Sequence, residues 1–201
     1  MVKDKNTLSL KERILKYLIE SDVDSVTIRQ ISQDLRVDYK NTFQVIDNIS
    51  ELISKKRIGN SNLIKIKIVP NQEIFSVENK RTHQFLKENR QLELLKQDIE
   101  GINYPFFIVL IFGSYVKKTN TKKSDLDICI IYDNKERINK FISKLELLPF
   151  KLEIHDFTID EFEKMLKTKE DNIGKEIVKN NIILYGLENY YNLISKWMKK
   201  D

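Results

Sequence analysis

Two largely apolar runs with a polar segment between them constrain the fold of this chain more than any other feature. The first run is FFIVLIF at residues 106–112, the second is LDICIIY at residues 126–132, and GSYVKKTNTKKSD separates them. Such runs of branched and aromatic residues are typical of strands buried on both faces of a sheet. The sequence therefore predicts two buried strands that present a polar loop at one end.

The segments that follow alternate between helical and strand patterns. KLEIHDF predicts a third strand, and NIILYG is a short apolar segment. The predicted helices are NKERINKFISKLELL, TIDEFEKMLKT, GKEIVKN and LENYYNLISKWMKK. TIDEFEKMLKT begins at a threonine cap and carries acids in its first turn, which favours a helix start there. We predict a C-terminal domain with a mixed sheet, residues 104–201, of the α/β (α+β) class.

The N-terminal part has a different pattern. Three short amphipathic helices are predicted, followed by KKRIGNSNLIKIKIV, in which a turn precedes a period-two alternation. Three helices and a basic hairpin indicate a winged helix-turn-helix domain, residues 1–70. The third helix carries a predicted apolar stripe of Phe43, Ile46, Ile49 and Ile53.

Residues 71–103 are predicted to form a connector helix that ends at Gly101. The helix is polar, and the residues expected to pack along one side are Phe85, Leu92, Leu95 and Ile99.

Composition limits the classes of protein that remain. Of the 201 residues, 41% are hydrophobic, 32% are charged, the formal net charge is +5, and Cys129 is the single cysteine. The apolar runs are far shorter than the roughly 20 residues that a membrane helix needs. One cysteine excludes an intrachain disulfide. We expect a two-domain cytoplasmic protein without membrane contact.

Asp125 and Asp127 lie one residue apart at the predicted start of a strand. Residues i and i+2 of a strand project from the same face, so two carboxylates are expected side by side. Like charges this close are unfavourable unless a cation lies between them. Mg²⁺ or Mn²⁺ meets this need, because both prefer carboxylate oxygens.

Gly113 and Ser114 stand where the first buried strand ends. Glycine lets a phosphate approach the backbone, and amides at a helix start with a serine hydroxyl can bind an anion. The predicted nucleotide-binding set is Gly113, Ser114, Lys117 and Ser124. The lysines between these residues suit either a solvated loop or attraction of a triphosphate. A phosphate site beside a metal site indicates phosphoryl or nucleotidyl transfer.

The segment GSYVKKTNTKKSDLD resembles the signature of the polymerase-β-like nucleotidyltransferases, and is most similar to the minimal type. The resemblance implies a nucleoside triphosphate substrate and a third carboxylate on a neighbouring strand, which binds metal or acts as general base. Glu153 is favoured for this role over Asp156. His155 shares the face of Glu153 and is expected to be packed or hydrogen-bonded. Lys118 stands where the family often has glycine.

The N-terminal domain is predicted to bind double-stranded DNA. Polar and basic side chains on the third helix and the hairpin suit base edges and phosphates. This predicted DNA-binding set is Tyr39, Lys40, Asn41, Thr42, Gln44, Lys55, Lys56, Arg57 and Lys65. The alternative for this domain is protein contact or homodimerisation.

We predict a Mg²⁺-dependent enzyme that transfers a nucleoside monophosphate from a nucleoside triphosphate to an acceptor hydroxyl. Asp125, Asp127 and Glu153 form the predicted catalytic and metal-binding set. Two alternatives stay open. One is a DNA-binding transcriptional regulator with an inactive or nucleotide-sensing transferase domain. The other, implied by the resemblance, is an antitoxin-like nucleotidyltransferase that acts on a small helical partner protein.

Overall fold

The chain folds into two units, Met1–Val77 and Glu78–Asp201, and each has its own sheet. The computed structural model describes residues 8–21, 23–59, 61–100, 106–121, 123–148 and 151–198. Two boundaries predicted from the sequence, the helix end at Gly101 and the domain start at Tyr104, lie outside the described residues.

In the described residues of the first unit that precede α4 (Gln72–Glu88), three helices pack with a three-stranded antiparallel sheet in the order β1-β3-β2. A 3₁₀ turn, Ser50–Leu52, precedes the second strand. The elements are α1 (Leu10–Ile19), β1 (Val26–Thr27), α2 (Ile28–Asp34), α3 (Tyr39–Asn48), β2 (Ile53–Ile58) and β3 (Ser61–Ile66). The sequence predicted the three helices and the hairpin, but not the two-residue strand β1.

Side-chain caps fix where these helices begin. Ser9 accepts a hydrogen bond from the amide of Glu12, whose carboxylate accepts from the Ser9 amide in return, so α1 starts with a capping box. Thr27 caps α2 and Asp38 caps α3 through a single side-chain oxygen, which accepts from the amide of Gln30 and of Asn41 respectively. These three polar residues therefore determine where α1, α2 and α3 begin.

Two predictions for α3 are wrong, and both errors have the same cause. Thr42 is fully buried and its hydroxyl donates to the Asp38 carbonyl at 2.9 Å, whereas Phe43 is 40% exposed. Thr42, Ile46 and Ile49 follow the four-then-three spacing of one helical face, and Phe43 lies about 100° around the helix from Thr42. The buried Thr42 side chain is therefore not available to contact DNA, and Phe43 does not belong to the buried face of α3.

The predicted connector is two helices instead of one. Helix α4 (Gln72–Glu88) is followed by Asn89, a 3₁₀ turn covers Arg90–Leu92, and α5 (Glu93–Glu100) comes next. The Asn89 side-chain amide donates to the Phe85 carbonyl at 2.9 Å, which satisfies a backbone group at the helix end. The four residues expected to pack are buried: Phe85, Leu92, Leu95 and Ile99. They belong to the core of the second unit.

The second unit is built on a four-stranded mixed sheet in the order β6-β5-β4-β7. The strands are β4 (Phe107–Phe112), β5 (Leu126–Tyr132), β6 (Leu152–Thr158) and β7 (Asn181–Tyr185). Strand β4 runs antiparallel to β5 and β7, while β5 and β6 are parallel. All six residues of β4 are buried, which confirms the strand predicted from FFIVLIF.

Helices cover both faces of this sheet. The helices of the second unit that follow β4 are α6 (Gly113–Val116), α7 (Lys135–Leu145), α8 (Ile159–Lys167), α9 (Ile173–Lys179) and α10 (Leu187–Met198). Side chains of α4, α5 and α7 share one core with alternate residues of β4 and β5. Helix α8 contacts β5 and β6, and α10 contacts β4. No helix in the described parts of the chain is long and apolar enough to cross a membrane.

A buried ion pair within α4 is hydrogen-bonded to residues of β7 and α10. Glu78 and Arg81 are 3% and 7% exposed, and the Arg81 Nη1 to Glu78 Oε2 distance is 2.5 Å. The Tyr191 hydroxyl donates to Glu78 Oε1 at 2.6 Å, and Arg81 donates to the Asn181 carbonyl at 3.2 Å. Because both charges have partners, their burial is tolerated.

Candidate active site

Asp127 and Glu153 face each other across the parallel pair β5 and β6. The register pairs Asp127 with Glu153 directly, so both carboxylates leave the same face of the sheet. Glu153 is 58% exposed along its side chain, while Asp127 is partly buried. The two carboxylates predicted to belong to one site are therefore neighbours.

His155 joins these two carboxylates. Ligand atoms of Asp127, Glu153 and His155 all lie within 4.8 Å of one another, which suits a metal ion. His155 Nε2 is 3.2 Å from Glu153 Oε1. The sequence placed His155 on the face of Glu153, and the alternation of β6 was the signal that could have added it to the site.

Gly113 leaves room for the Asp127 carboxylate. The glycine has φ +69°, and a Cβ at this position would lie 1.9 Å from Asp127 Oδ2. The backbone amide of Ser114 donates a hydrogen bond to the Asp127 carboxylate. The structure thus gives these two residues a role in holding Asp127, and their predicted binding of phosphate stays a prediction.

The electrostatics of Asp127 favour a bound cation. Burial raises the pKa of Asp127 above its usual value, and the nearby charge of Glu153 raises it further. The Ser114 hydrogen bond and His155 oppose this rise. Two carboxylates that disfavour each other's charge would both be stabilised by a divalent cation.

Asp125 is set apart from this cluster. It lies one residue before β5 and is not in the group of ligand atoms formed by Asp127, Glu153 and His155. Its Oδ1 is buried and accepts no hydrogen bond from the described residues, although Lys151 Nζ is 3.8 Å away. A buried oxygen without a donor fits a cation ligand, so the acids present suit a divalent metal.

Asp156 projects from the opposite face. Its carboxylate accepts a hydrogen bond from the Tyr132 hydroxyl at 2.6 Å and pairs with Lys135 at 3.2 Å. Hydrogen bonding to Tyr132, followed by the interactions with Lys135, lowers the pKa of Asp156 despite its partial burial. The contacts with Tyr132 and Lys135 give Asp156 a structural role on that face. Glu153, and not Asp156, is therefore the neighbour of Asp127.

The remaining predicted nucleotide-binding residues lie on the loop after α6. Lys117 Nζ is 2.6 Å from Glu176 Oε1 of α9, and Glu176 is close enough to raise the pKa of Asp127 slightly. The Ser124 hydroxyl accepts a hydrogen bond from the Thr121 amide at 2.9 Å and so closes a turn of the loop. Binding of nucleotide by Lys117 and Ser124 stays a prediction. Lys122 lies outside the described residues.

Lys118 adopts the backbone conformation that glycine favours. Its φ is +55°, in the left-handed region, and its Nζ lies 3.1 Å from Glu88 Oε2. The loop therefore bends here without the glycine that the family often has, at a conformational cost of about 1 kcal/mol.

Two substitutions at Lys118 separate the backbone conformation from the ion pair. Both Lys118→Gly and Lys118→Val remove the contact with Glu88, but only valine is branched at Cβ and strained at positive φ. We expect the valine variant to be less stable than the glycine variant by about 1–2 kcal/mol in chemical denaturation. Equal stability of the two variants would contradict the left-handed conformation.

Most of the predicted DNA-binding set lies on the surface of the first unit. The exposed members are Tyr39, Lys40, Asn41, Gln44, Lys55, Lys56 and Arg57. Lys65 is partly buried and pairs with Asp24 at 3.5 Å. Lys55 lies over the Phe43 ring, 5.4 Å from its centroid, and pairs with Asp47 at 3.6 Å. Only Thr42, as described above, is excluded by burial.

Comparison with known proteins gives the class of the second unit. A family described as "Polymerase beta, Nucleotidyltransferase" matches residues 105–189, which include the sheet, Gly113 and the acidic cluster. The chain is also 30% identical over 96 residues to a protein of Methanocaldococcus jannaschii named "Putative protein adenylyltransferase MJ1547". That alignment covers 45% of this chain and 69% of the relative. No solved structure matches the chain.

The mixed sheet and the sequence match together define a nucleotidyltransferase enzyme. The chain belongs to the polymerase beta nucleotidyltransferase family.

Proposed function

We propose that this enzyme transfers a nucleoside monophosphate from a nucleoside triphosphate to an acceptor hydroxyl and uses a divalent cation. The observation that carries the proposal is the direct pairing of Asp127 with Glu153 on neighbouring strands. Asp125 lies outside the group of Asp127, Glu153 and His155, but its buried Oδ1 accepts no hydrogen bond from the described residues, and we propose it as a further cation ligand. Mg²⁺ or Mn²⁺ bound by these acids would neutralise charge on the triphosphate and on the leaving pyrophosphate.

The reaction requires few groups from the protein. The acceptor oxygen bonds to the α-phosphorus, the bond from that phosphorus to the bridging oxygen breaks, and pyrophosphate leaves. The acceptor proton passes to a base, and Glu153 is suited to this because more than half of its side chain is exposed. Asp127 is held by Ser114 against Gly113 and provides a fixed charge. Lys117 and Ser124 are proposed to contact the triphosphate.

The donor and acceptor are suggested by the relative from Methanocaldococcus jannaschii. Its name describes transfer of adenylate to protein. We propose ATP as the first donor to test and a protein hydroxyl as the first acceptor. A small helical partner protein is one such acceptor and stays a prediction, as does a homodimer.

The test incubates the purified chain with α-labelled ATP, a divalent cation and cell extract. Labelled protein that appears only with the cation supports the proposal, and mass spectrometry then locates the modified hydroxyl. The matched control is the double variant Asp125→Asn with Asp127→Asn. If this variant labels the extract as well as the parent does, or if no acceptor is labelled, the proposed reaction is contradicted.

We propose in addition that the first unit is a winged helix that binds double-stranded DNA. Support comes from the exposed side chains of α3 and from the basic residues of β2, which include Lys55, Lys56 and Arg57. Basic side chains that neutralise phosphates give a binding constant that falls steeply with salt.

A salt titration with a fluorescent duplex tests DNA binding. Replacing Lys40 and Lys56 by alanine together should weaken binding about tenfold and reduce the slope of log affinity against log salt by about 2. Lys164→Ala, at an exposed position of α8, serves as the control and should leave the slope unchanged. An unaltered slope in the double variant would place DNA binding elsewhere or exclude it.

A further inference from the structure

His155 stands beside two carboxylates without being one of the acids that the sequence motif supplies. It follows Glu153 by two residues on β6, and its register partner on β5 is Cys129, two residues after Asp127. The imidazole therefore leaves the same face as both acids. The Nε2 atom lies 3.2 Å from Glu153 Oε1, and its side chain is 24% exposed.

The position of the imidazole is fixed by an apolar neighbour. The ring packs edge-on against Phe112, with 5.4 Å between the centroids and 62° between the planes. Phe112 is the last residue of β4 and directly precedes Gly113, which leaves room for Asp127. Phe112 has no polar atom in its side chain, so this contact does not use either ring nitrogen in a hydrogen bond.

The donor set formed by Asp127, Glu153 and His155 determines which cation it suits. Its ligand atoms, two carboxylate oxygens and one imidazole nitrogen, all lie within 4.8 Å of one another. Mg²⁺ is bound almost entirely through oxygen in proteins, whereas imidazole is a common ligand of first-row transition cations. A nitrogen in the set therefore shifts the affinity away from magnesium.

We propose that His155 is a nitrogen ligand of the active-site cation and that the site binds first-row transition cations more tightly than Mg²⁺. The inference rests on the proposed function only in using the same carboxylates, Asp127 and Glu153. It names the chemical class of the cation. The competing explanation is that His155 only hydrogen-bonds to Glu153 and leaves the cation bound by oxygen.

Mn²⁺ is the probe that separates these explanations, because its electron spin detects coordinated nitrogen. It is also the weakest binder in the first-row affinity order, so a preference for Mn²⁺ over Mg²⁺ is a stringent result. Pulsed electron paramagnetic resonance on the full chain with Mn²⁺, without nucleotide, reports the imidazole nitrogen. Competition with Mg²⁺ gives the ratio of the two affinities.

The chain has only two histidines, His83 and His155, which provides a matched control. His83 is exposed on α4 and is not among the three grouped ligands. We expect the nitrogen signal in the parent and in His83→Gln, and its loss in His155→Gln. The preference for Mn²⁺ over Mg²⁺ should be about tenfold or more in the parent and should fall about tenfold in His155→Gln.

Bound Mn²⁺ without a nitrogen signal in the parent, or a signal that survives His155→Gln, would overturn the inference. Failure to bind Mn²⁺ would overturn it as well. The parent and His83→Gln decide the matter even if the His155 variant does not fold. A different result would contradict the proposed function alone. In that case Mn²⁺ would bind through His155, but the protein would transfer no nucleotide with any cation.

Discussion

Asp127→Asn will lower the rate of nucleotidyl transfer at least about 1,000-fold, and it will raise the thermal unfolding midpoint of the cation-free protein. The loss of rate follows because the variant lacks the charge placed opposite Glu153. The gain in stability follows from the raised pKa of Asp127, which burial and the charge of Glu153 cause. An ionised Asp127 is less favourable in the folded than in the unfolded chain at neutral pH, and asparagine removes this cost.

Two measurements on one variant separate a functional from a structural role for Asp127. Transfer of label from ATP gives the rate, and calorimetry in the presence of a chelator gives the unfolding midpoint. Asp171→Asn, at an exposed position before α9, is the control and should change neither quantity. Transfer within tenfold of the parent by Asp127→Asn would contradict the placement of the site. A lower midpoint would contradict the electrostatic argument.

Gly113→Ala will disable the site through its backbone. The added Cβ would lie 1.9 Å from Asp127 Oδ2, which is far inside van der Waals contact, and the φ of +69° disfavours any L side chain. The carboxylate must move away, and the Ser114 amide that donates to it must move as well. We expect destabilisation of about 2–4 kcal/mol and at least about a 100-fold loss of transfer.

Gly59→Ala is the matched control for this substitution. Gly59 also has a left-handed φ, +58°, but among the described residues no heavy atom outside its chain neighbours lies within 4 Å of an added Cβ. It therefore carries only the backbone penalty of about 1 kcal/mol, without a change in transfer. Urea denaturation and the transfer assay compare the two variants. Equal destabilisation by both would show that contact with Asp127 is not what requires glycine at position 113.

The two central strands of the second unit were predictable because their sequences admit few alternatives. Apart from Asp127, FFIVLIF and LDICIIY consist of residues that favour burial, and both runs are too short for a membrane helix; both form strands. The bounds and buried faces of the helices were harder to predict where packing overrides the periodicity of apolar residues. The break at Asn89 depends on a side-chain hydrogen bond to the Phe85 carbonyl, which no periodicity reveals. Phe43 looked like a core residue because its neighbours at i+3 and i+6 are apolar.

The candidate site was predictable as a set of acids but not as a geometry. Alternation on β6 places Glu153 and His155 on one face, yet only the register with β5 shows that this face meets Asp127. Strand order and register depend on long-range packing, and single-sequence patterns do not contain them. The contact between Gly113 and Asp127 could not be predicted from the sequence for the same reason. The two residues are separated in the chain by the whole loop between β4 and β5.

The buried pair of Glu78 and Arg81 determines where the polypeptide can be cut. The boundary between the two units falls between Val77 and Glu78, inside the continuous helix α4. A catalytic fragment that began after Glu78 would keep Arg81 buried but lose its carboxylate and the acceptor for Tyr191. A catalytic fragment should therefore start no later than Glu78. A start at Gln72, the first residue of α4, would also keep the helix whole, although it retains residues of the neighbouring unit.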